Sequence, residues 1–536
     1  MIQSYKQKHE LAAHYDAILI GSGIGSLATA VCLSKEGKRV LVLERHYTAG
    51  GYTHVFKRRG YEWDVGIHYI GEMGRERGVL KQLFDYITDA ELKWADMGEV
   101  YDRIVIGENT YDFPKGVQNF KDQMKGYFPE EADAIDKYVD LVFEASRASR
   151  EFYAEKAMPN YIKWAVSNKM RKAYLKFASR TTLDVLQELT SNEQLIKVLT
   201  GQYGDYGLPP SKSSFAMHAS VAKHYFHGGF FPVGGSSQIA DNVAPILERS
   251  GSMILTNAEV EEIIVENGKA TGVKMADGKN IHADLIVSGT GIINTYTKLL
   301  PSELVRKHKM DEHLQKVKPS AAHVCLYIGL NGTPQELKLP KANYWIYPSD
   351  LNHDASIERF QKDIDTEFPV VYISFPSAKD PSWSERYPNK STVDIITVMP
   401  YEIFQEWEDT KWKKRGDGYE ALKEKFAQRL LEVLYEKEPQ LRGKVDYYEL
   451  STPVSTKHFM NYAQGELYGI DHDPERYEQK FLQPRTEIKN LYLTGQDIVT
   501  AGVGGALFAG FITASAILKK NIIEKIMKEV LSGQIS

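Results

Sequence analysis

The sequence contains little cysteine: Cys32 and Cys325 are the two cysteines among its 536 residues. They stand in apolar runs far apart in the chain, so we expect neither a disulfide framework nor a cysteine-ligated metal site. Such sparse use of cysteine is typical of a reducing compartment. The first ten residues are polar and lack the apolar core of a signal peptide. These features together predict a cytoplasmic protein.

An excess of basic charge is also missing. The chain has 66 Lys and Arg against 71 Asp and Glu, so its net charge is −5 and no nucleic-acid partner is expected. With 43% hydrophobic and 26% charged residues, the composition is that of an ordinary globular protein. The length allows two or three core-forming regions.

Long hydrophobic runs are scarce, and the run without charge at residues 501–518 only just reaches the length of a membrane span. Its small leading residues, which follow a strand and a turn, favour a helix whose N-terminus faces a cofactor. Residues 161–180 mix aromatic and basic side chains, and residues 521–531 form an amphipathic pattern. Each of these two segments fits either contact with a membrane surface or packing on the protein core.

The most informative stretch begins at Asp16, where an apolar run leads into the glycine-rich turn from Gly21 to Ser26. A helical pattern and a second apolar run ending at Glu44 complete a βαβ unit. Gly21 permits a tight turn, and Gly23 leaves no Cβ between the backbone and a pyrophosphate. The helix N-terminus attracts that phosphate, and Glu44 can accept hydrogen bonds from a ribose. Ser26 replaces the third glycine of the motif, which leaves less room for close helix packing.

A second glycine turn, Gly50-Gly51, follows, and residues 61–71 then read as a strand with glycines at points of close approach. A nicotinamide dehydrogenase would normally continue directly into further βα units, so this detour favours a flavin in an extended groove. An ordinary glycine turn is the alternative. Residues 285–291 and 490–507 each resume the pattern of a buried strand and a glycine turn, after hairpin signals at residues 267–268 and 277–278.

The remaining segments suggest a ligand compartment. Residues 78–200 are mainly helical in pattern with few strand signals, and residues 300–448 are rich in aromatic side chains that form either core or a pocket for a long apolar ligand. Histidines and tyrosines cluster at residues 217–229. They lack the spacing of metal ligands, so no metal site is expected.

These motifs together resemble those of the FAD-dependent phytoene desaturase, carotenoid isomerase and retinol saturase family. The shared signature comprises residues 21–26, 50–51, 66–69, 204–207, 217–219, 224–225, 234–237, 294–296 and 491–497. The sequence departs from the family at Ser26 and at Tyr52-Thr53, where saturases of the family have cysteines. The second departure bears on the identity of the substrate.

The resemblance implies an α/β fold with α+β insertions, in which a Rossmann-like FAD-binding domain of the glutathione-reductase/amine-oxidase type is interleaved with a substrate-binding domain. Residues 1–75, 233–300 and 480–520 are expected to form the FAD-binding domain. Residues 76–232 and 301–479 are expected to form the substrate-binding domain, with a mostly helical insertion at 76–200. Residues 521–536 are expected to form a C-terminal amphipathic helix.

The resemblance also implies residue roles toward FAD. The turn that begins at Gly21 is expected to bind the pyrophosphate, and Glu44 is expected to bind the adenosine ribose. The full set of implied cofactor residues is Gly21, Ser22, Gly23, Ile24, Gly25, Ser26, Glu44, Arg45, Gly50, Gly51, Val260, Gly289, Thr290, Asp497 and Val503. Within it, Arg45 and Gly50-Gly51 hold the middle of the cofactor, Val260 contacts adenine through its backbone, and Gly289-Thr290 pass beneath it. Asp497 meets the pyrophosphate–ribityl region, and Val503 lies against the isoalloxazine.

The implied activity is saturation of a C=C bond in a polyene or isoprenoid lipid by hydride from reduced flavin. Desaturation, cis–trans isomerisation and a non-catalytic flavin-containing lipid carrier are the alternatives. Saturation needs a proton donor, for which His68 and Tyr206 are candidates because each bears a proton within a glycine-flanked motif; structural roles for both are the alternative. A second glycine fingerprint for a nicotinamide cofactor is missing, so a redox partner, or NAD(P)H in a shallow site, is expected to reduce the flavin.

Overall fold

The computed structural model describes residues 2–7 and 11–532. Its strands, in chain order, are β1 (Ile2–Ser4), β2 (Tyr15–Ile20), β3 (Val40–Leu43), β4 (Val55–Arg58), β5 (Tyr61–Asp64), β6 (Ile70–Gly71), β7 (Trp94–Asp96), β8 (Val100–Ile106), β9 (Asn109–Pro114), β10 (Gly229–Pro232), β11 (Met253–Thr256), β12 (Val260–Glu266), β13 (Lys269–Met275), β14 (Asn280–Ser288), β15 (His323–Asn331), β16 (Asn343–Tyr347), β17 (Val371–Ser374), β18 (Lys390–Val398), β19 (Val445–Ser451) and β20 (Leu491–Leu493).

The helices, in chain order, are α1 (Ile24–Lys35), α2 (Val79–Thr88), α3 (Val117–Tyr127), α4 (Ala132–Ala157), α5 (Asn160–Ala178), α6 (Thr182–Gln187), α7 (Glu193–Leu199), α8 (Phe215–Tyr225), α9 (Gln238–Arg249), α10 (Ile292–Asn294), α11 (Ser302–Lys307), α12 (Met310–Leu314), α13 (His353–Lys362), α14 (Pro376–Lys379), α15 (Trp383–Arg386), α16 (Asp417–Lys437), α17 (Pro453–Met460), α18 (Pro474–Glu478), α19 (Gly502–Leu518) and α20 (Ile522–Leu531).

The first large sheet is built from three separate parts of the chain. Its order is β1-β11-β3-β2-β14-β13-β12, and β20 adds to β14. The pairs β1–β11, β11–β3, β3–β2, β2–β14 and β14–β20 are parallel, as expected for short apolar strands buried on both faces. Both expected hairpins form, with positive φ at Asn267, Gly268 and Gly278. All eight strands lie within the segments expected to bind FAD.

The second large sheet has the order β19-β15-β18-β17-β16-β8-β9. Its strands come from the two segments expected to bind substrate, and its pairs are antiparallel except for β8 and β16. Strands β8 and β9 correct the expectation that residues 78–200 carry few strands. Strand β8 is stabilised by β16, which lies more than 230 residues later, so the local pattern gave little sign of it.

Residues 61–71 do not form the single strand that their pattern predicted. They form β5 and β6, and residues 65–69 between them make an irregular connection that contains His68. A Cβ at Gly66 would lie 2.9 Å from the Tyr52 carbonyl oxygen, so the backbone is packed too closely for a side chain there. Strand β6 instead pairs with β10, which also pairs with β7.

The C-terminal helix α20 lies against α2 and α19, with Ile522 and Ile526 buried. It ends at Leu531, and the last four residues of the predicted 521–536 segment lie outside the described part of the chain. Among the described residues, no single helix is long and apolar enough to cross a membrane. One helix pair, α19 with α20, passes that test together by length and composition, although the two are bent by 107° relative to each other.

Candidate active site

One large cavity of about 1580 Å³ contains almost all of the residues expected to bind the cofactor. Fourteen of the fifteen line it: Gly21, Ser22, Gly23, Ile24, Gly25, Ser26, Glu44, Arg45, Gly50, Gly51, Val260, Gly289, Thr290 and Val503. A pocket for one drug-sized ligand measures about 300–1,000 Å³. The cavity therefore has room for a large cofactor and a second ligand.

The first glycine turn has the geometry that its sequence predicts. Gly21 has φ +88° and donates its N–H to the Leu43 carbonyl oxygen at 2.8 Å, which ties β2 to β3. Gly23 precedes the first turn of α1, and a Cβ placed there would have no heavy atom within 4 Å. No side chain of the described residues caps α1, and its first turn holds no acidic residue. The free N–H groups of that turn suit a phosphate.

Glu44 lies beside this turn on the cavity wall. Its Oε2 accepts hydrogen bonds from the Ser22 N–H at 2.8 Å and the Ser22 hydroxyl at 2.7 Å, and its Oε1 accepts from the His46 N–H at 2.8 Å. These three bonds fix the orientation of the carboxylate. Because a carboxylate offers about four acceptor positions, Glu44 retains capacity for the hydroxyls of a ribose.

The second glycine turn packs directly on the first. The Ser22 hydroxyl accepts a hydrogen bond from the Gly50 N–H at 2.8 Å, and a Cβ on Gly51 would lie 3.1 Å from the Gly23 Cα. Gly50 and Gly51 also have positive φ values of 118° and 58°. Glycine is needed here for both backbone conformation and close approach, which favours the flavin-groove interpretation over an ordinary surface turn.

Ser26 fits without crowding, although its replacement of glycine predicted a loss of room. A Cβ at Gly289 would lie 2.0 Å from the Ser26 Oγ, so the glycine at 289 provides the space that the serine takes. The Ser26 Oγ is buried and has no hydrogen-bond partner among the described residues. The serine at position 26 is thus accommodated because position 289, just after the end of β14, is a glycine.

A second helix N-terminus lines the same cavity. Helix α19 begins at Gly502, and Gly502 to Ala506 all lie on the cavity wall, including Val503. Helices α1 and α19 approach closely, since a Cβ at Gly25 would lie 2.9 Å from the Ala506 carbonyl oxygen. Two helix N-termini therefore place positive partial charge on one cavity, where they would stabilise negative charge on a cofactor.

Asp497 is the one expected cofactor residue that does not line the cavity. Its carboxylate accepts hydrogen bonds from the N–H groups of Ile292 at 2.8 Å and Ile470 at 3.2 Å, and burial raises its pKa. Gly495 and Gln496 lie on the wall instead. The placement of the Asp497 side chain therefore differs from the expectation: it holds the surrounding loops together.

Arg45 lines the cavity, but its guanidinium also connects two parts of the chain. It donates hydrogen bonds to the carbonyl oxygens of His458 at 2.7 Å and Phe459 at 3.0 Å. This contact holds the end of α17 against the first sheet. The expected role of Arg45 at the middle of the cofactor stays a prediction.

The two expected proton donors are placed very differently. Tyr206 is fully buried away from the cavity, with its hydroxyl 3.1 Å from the His218 Nδ1. The other ring nitrogen of His218 lies 2.9 Å from the Tyr138 hydroxyl, and burial lowers the His218 pKa to about 3. Tyr206 therefore does not line the cavity, because its hydroxyl faces a polar contact in the core, and its expected role as a proton donor stays a prediction.

His68 does line the cavity. Its Nδ1 lies 3.3 Å from an oxygen of the buried Asp394, close enough for an ion pair but too poorly aligned for a hydrogen bond. The His68 carbonyl oxygen accepts a hydrogen bond from the Lys379 ammonium at 2.9 Å. Burial lowers the Lys379 pKa to about 7. His68 thus remains a candidate donor on the cavity wall.

An acidic group on the cavity wall was missed by the sequence reasoning. Asp205 and Tyr69 both line the cavity, and their side-chain oxygens lie 3.1 Å apart. The Tyr69 hydroxyl also lies 2.8 Å from the fully buried Asp102. Burial raises the pKa of Asp205 to about 8 and that of Asp102 to about 6. Asp205 stands in the motif that drew attention to Tyr206, but one residue earlier.

Aromatic rings form much of the wall around Asp205. The rings of Tyr69 and Tyr225 stack with centroids 4.2 Å apart, and those of Trp345 and Tyr372 lie 4.4 Å apart. All four residues line the cavity. Of the other prominent aromatics in residues 300–448, Tyr347 and Trp383 are buried away from it. That aromatic block therefore serves mainly as core, with one part exposed to the cavity.

The histidines near residues 217–229 form contacts with other parts of the protein. The Nε2 of His224 accepts a hydrogen bond from the Gly71 N–H at 2.7 Å, and burial lowers the His224 pKa to about 4. Within residues 2–7 and 11–532, no group of three or more His, Cys, Asp or Glu side chains is arranged to hold a metal ion.

These features fit an FAD whose pyrophosphate contacts the turn from Gly21 to Ser26 and whose flavin lies towards Val503. The chain matches the family described as "Flavin containing amine oxidoreductase" over residues 27–518, and it belongs to that family. It is a flavin-dependent oxidoreductase, and FAD is its cofactor. The expected α/β fold with a Rossmann-like FAD-binding domain is confirmed.

Individual proteins with similar sequences indicate which branch of this family the chain belongs to. The "All-trans-retinol 13,14-reductase" of Danio rerio is 37% identical over 95% of this chain and 86% of its own length, so the chain belongs to the family of these reductases. An "Inactive all-trans-retinol 13,14-reductase" of the same species is 32% identical over 97% of this chain and 88% of its own length. "Prolycopene isomerase 1, chloroplastic" from an Oncidium hybrid cultivar is 25% identical over 97% of this chain and 86% of its own length.

The fold is shared with solved flavoprotein structures. Cyclohexylamine oxidase from Brevibacterium oxydans aligns with a TM-score of 0.59 at 16% identity, covering 96% of this chain and 99% of the oxidase. At that identity the likeness concerns the fold alone.

Proposed function

We propose that the protein saturates a C=C bond of a polyene or isoprenoid lipid, using hydride from reduced FAD. One observation carries the proposal: the cofactor motifs and the aromatic wall around Tyr69 and Trp345 line a single cavity. The flat faces of conjugated chains pack well against such rings. The names of the related retinol reductases support this class of substrate.

The residues of this chain would bind and orient the two partners. The N-terminus of α1 and the Glu44 carboxylate hold the dinucleotide part of the cofactor, and the N-terminus of α19 faces its other end. A bound reduced flavin supplies the hydride equivalent. The stacked pair of Tyr69 and Tyr225 and the ring of Trp345 position the apolar chain and exclude water from it.

Two relatives favour other outcomes from the same site. The likeness to a prolycopene isomerase supports a redox-neutral cis–trans isomerisation as a second candidate. The likeness to a reductase named inactive supports a flavin-containing lipid carrier without turnover. Both would use the same cavity, so the reaction has to be distinguished by its products.

The experiment that separates these candidates mixes the enzyme anaerobically with retinol and with a carotenoid, once with reduced and once with oxidised flavin. Saturation predicts that the polyene reoxidises the reduced flavin and loses absorbance. Reduction of the oxidised flavin would show a desaturase, and a change of isomer alone would show an isomerase. Binding of both polyenes without any change would contradict the proposal and favour the carrier.

We also propose that the cavity receives its lipid from a membrane surface on the cytoplasmic side. The first turn of α5 and the segment around α20 line the cavity, through residues including Met158, Tyr161, Ile162, Lys519 and Met527. Tyr161 is 77% exposed, and the nearby Trp164 is 92% exposed. Exposed aromatic side chains beside lysines are typical of interfacial contact.

The remainder of α5 packs on the protein, with Arg171, Tyr174 and Phe177 buried, so the proposed contact is confined to its first turns. Combined Tyr161→Ala and Trp164→Ala substitutions should abolish cosedimentation of the FAD-loaded protein with vesicles containing anionic lipid. Tyr47→Ala is the control, because Tyr47 is 50% exposed but does not line the cavity. Equal cosedimentation of all three proteins would refute the membrane proposal.

The source of electrons is proposed to be NAD(P)H in a shallow site or a separate redox partner. The sequence supports either, since it carries no second glycine fingerprint for a nicotinamide cofactor. Anaerobic mixing of the oxidised holoenzyme with NADPH distinguishes them. Bleaching of the flavin absorbance within the turnover time supports direct reduction, and an unchanged spectrum supports a partner.

A further inference from the structure

The Tyr69 hydroxyl lies between one carboxylate oxygen of Asp102 and one of Asp205, and this arrangement indicates where a proton is held. The hydroxyl lies 2.8 Å from Asp102 Oδ2 and 3.1 Å from Asp205 Oδ2. A phenol has one hydrogen, so it can donate to one carboxylate and must accept from the other group. Two ionised carboxylates at these distances would have to share the one phenol hydrogen, so the geometry favours a protonated carboxyl group.

The surroundings assign that proton to Asp205. The Asp102 carboxylate accepts further hydrogen bonds from Asn343 Nδ2 at 2.8 Å and from Gln202 Nε2 at 2.7 Å, which favour its ionised form. The positive charge of Lys379 also favours an ionised Asp102. The hydroxyls of Tyr69 and Tyr225 also favour an ionised Asp205, but burial and the nearby Asp102 charge act against them and raise the Asp205 pKa.

The acidities agree with this assignment. Burial, with the nearby Asp102 charge, raises the pKa of Asp205 to about 8, whereas the pKa of Asp102 rises to about 6. Besides Asp102, the titratable groups that interact with Asp205 are phenols whose pKa lies well above the ordinary value: Tyr69, Tyr206, Tyr225, Tyr347, Tyr372 and Tyr468. Asp205 is therefore the group that is protonated at neutral pH and can still release its proton near that pH, whereas the phenols keep theirs.

We propose that Asp205 is the catalytic acid that protonates the second carbon of the reduced double bond. This inference rests on the proposed function. A bound reduced flavin would supply a hydride equivalent to one carbon of the C=C bond and would itself be oxidised. The π electrons of that bond would take the Asp205 proton at the neighbouring carbon, which reduces the bond and leaves Asp205 as a carboxylate.

The residues around Asp205 suit both states of the acid. Asp205 is partly exposed and lines the cavity together with the stacked rings of Tyr69 and Tyr225 and with Trp345. After the transfer, the Tyr69 hydroxyl can turn its hydrogen to the new Asp205 carboxylate. Asp102 keeps its bonds to Asn343 and Gln202 throughout, so Tyr69 is a positioning residue in this account.

The first test compares Asp205→Asn with wild-type holoenzyme in single turnover of retinol by reduced flavin. We expect saturation to slow by about 100-fold or more, with retinol binding, followed by quenching of tryptophan fluorescence, changed less than threefold. Wild-type turnover should also decline as pH rises through about 8, because the protonated acid is required. Asp471→Asn is the matched control, since burial raises the pKa of Asp471 to about 7 but it lies outside the cavity lining.

The second test needs no turnover. Infrared difference spectra of wild-type holoenzyme should contain a protonated carboxyl band that disappears as pH rises through about 8, and Asp205→Asn should lack it. A normal single-turnover rate in Asp205→Asn, or no such band in wild type at pH 6, would overturn the assignment. A wild-type enzyme that shows the band but saturates no polyene would instead refute the proposed function, and with it the catalytic role.

Discussion

A single methyl group added at Gly510 should separate the two helices that face the cofactor. Gly510 lies in α19, buried against α1, where a Cβ would stand 2.5 Å from the Gly25 carbonyl oxygen and 2.6 Å from the Ala28 Cβ. Carbon atoms normally approach to about 3.5–4.0 Å. Gly510→Ala therefore forces α1 and α19 apart by about 1 Å, because backbone atoms cannot turn away.

The expected cost follows from two opposing effects. Overpacking a core typically costs about 1–3 kcal/mol, and the rigid atoms met here favour the upper part of that range. Alanine gains about 1 kcal/mol over glycine in a helix interior. We therefore expect the free energy of unfolding to fall by about 2 kcal/mol in Gly510→Ala, together with weaker retention of FAD, since both helices begin at the cofactor cavity.

The assay is chemical denaturation of the holoenzyme with the flavin content measured before unfolding. Gly126→Ala is the control, because Gly126 is exposed near the end of α3 and a Cβ there meets no atom within 4 Å. That control should gain up to about 1 kcal/mol. If Gly510→Ala were as stable as Gly126→Ala and retained its full flavin content, the reasoning about helix contact would be refuted.

Three further predictions follow from the same structure. Glu44→Gln loses the charged acceptor of the Ser22 N–H, so FAD titration should show affinity reduced about 10-fold or more, and unchanged affinity would contradict the role of Glu44. Tyr206→Phe should leave the saturation rate unchanged but cost about 1 kcal/mol in urea unfolding, because it removes a buried hydrogen bond; a large loss of rate would restore Tyr206 as a donor. Burial raises the pKa of Asp64 to about 7, above that of the unfolded chain, so the native state holds the extra proton and stability should fall as pH rises from about 4 to 7. Asp64→Asn, which keeps an acceptor for the Ser236 N–H, should flatten that decline, and an unaltered pH profile would exclude Asp64 as its source.

The cofactor end of the site could be predicted from the sequence because its rules are local. The turn at Gly21, the helix start at Gly23 and the acid at Glu44 lie within one βαβ unit, and each has one physical role there. The contact between Ser22 and Gly50 adds a second turn only 28 residues later. Such short-range patterns leave little choice of geometry.

The substrate end could not be predicted in the same way, because it is made by distant pairings. Strand β8 acquires its place from β16, and this pairing sets Asp102 opposite Asn343, where the two side chains form a hydrogen bond at 2.8 Å. No local sequence pattern predicts the contact between Asp102 and Asn343. The buried proton-sharing group around Tyr69 therefore became visible only in the fold.

Asp205 lines the cavity and the adjacent Tyr206 does not, although Tyr206 was the residue expected from the sequence. The two are adjacent in the motif at residues 204–207, but a single 3₁₀ turn at Tyr203–Asp205 places their side chains in different surroundings. The carboxyl group reaches the cavity and the phenol enters the core beside His218. Glycine spacing identifies such a motif, yet the turn decides which of its side chains lines the cavity.

The most direct test of the central claim is the mass of the product in an anaerobic single turnover. Reduced holoenzyme is mixed with a slight excess of retinol, and the product is analysed by mass spectrometry while flavin absorbance is recorded. We expect one molecule heavier by two hydrogens for each flavin oxidised, and deuterium incorporated at the protonated carbon when the reaction is run in D₂O. Flavin that stays reduced, or a product of unchanged mass, would contradict saturation by this site.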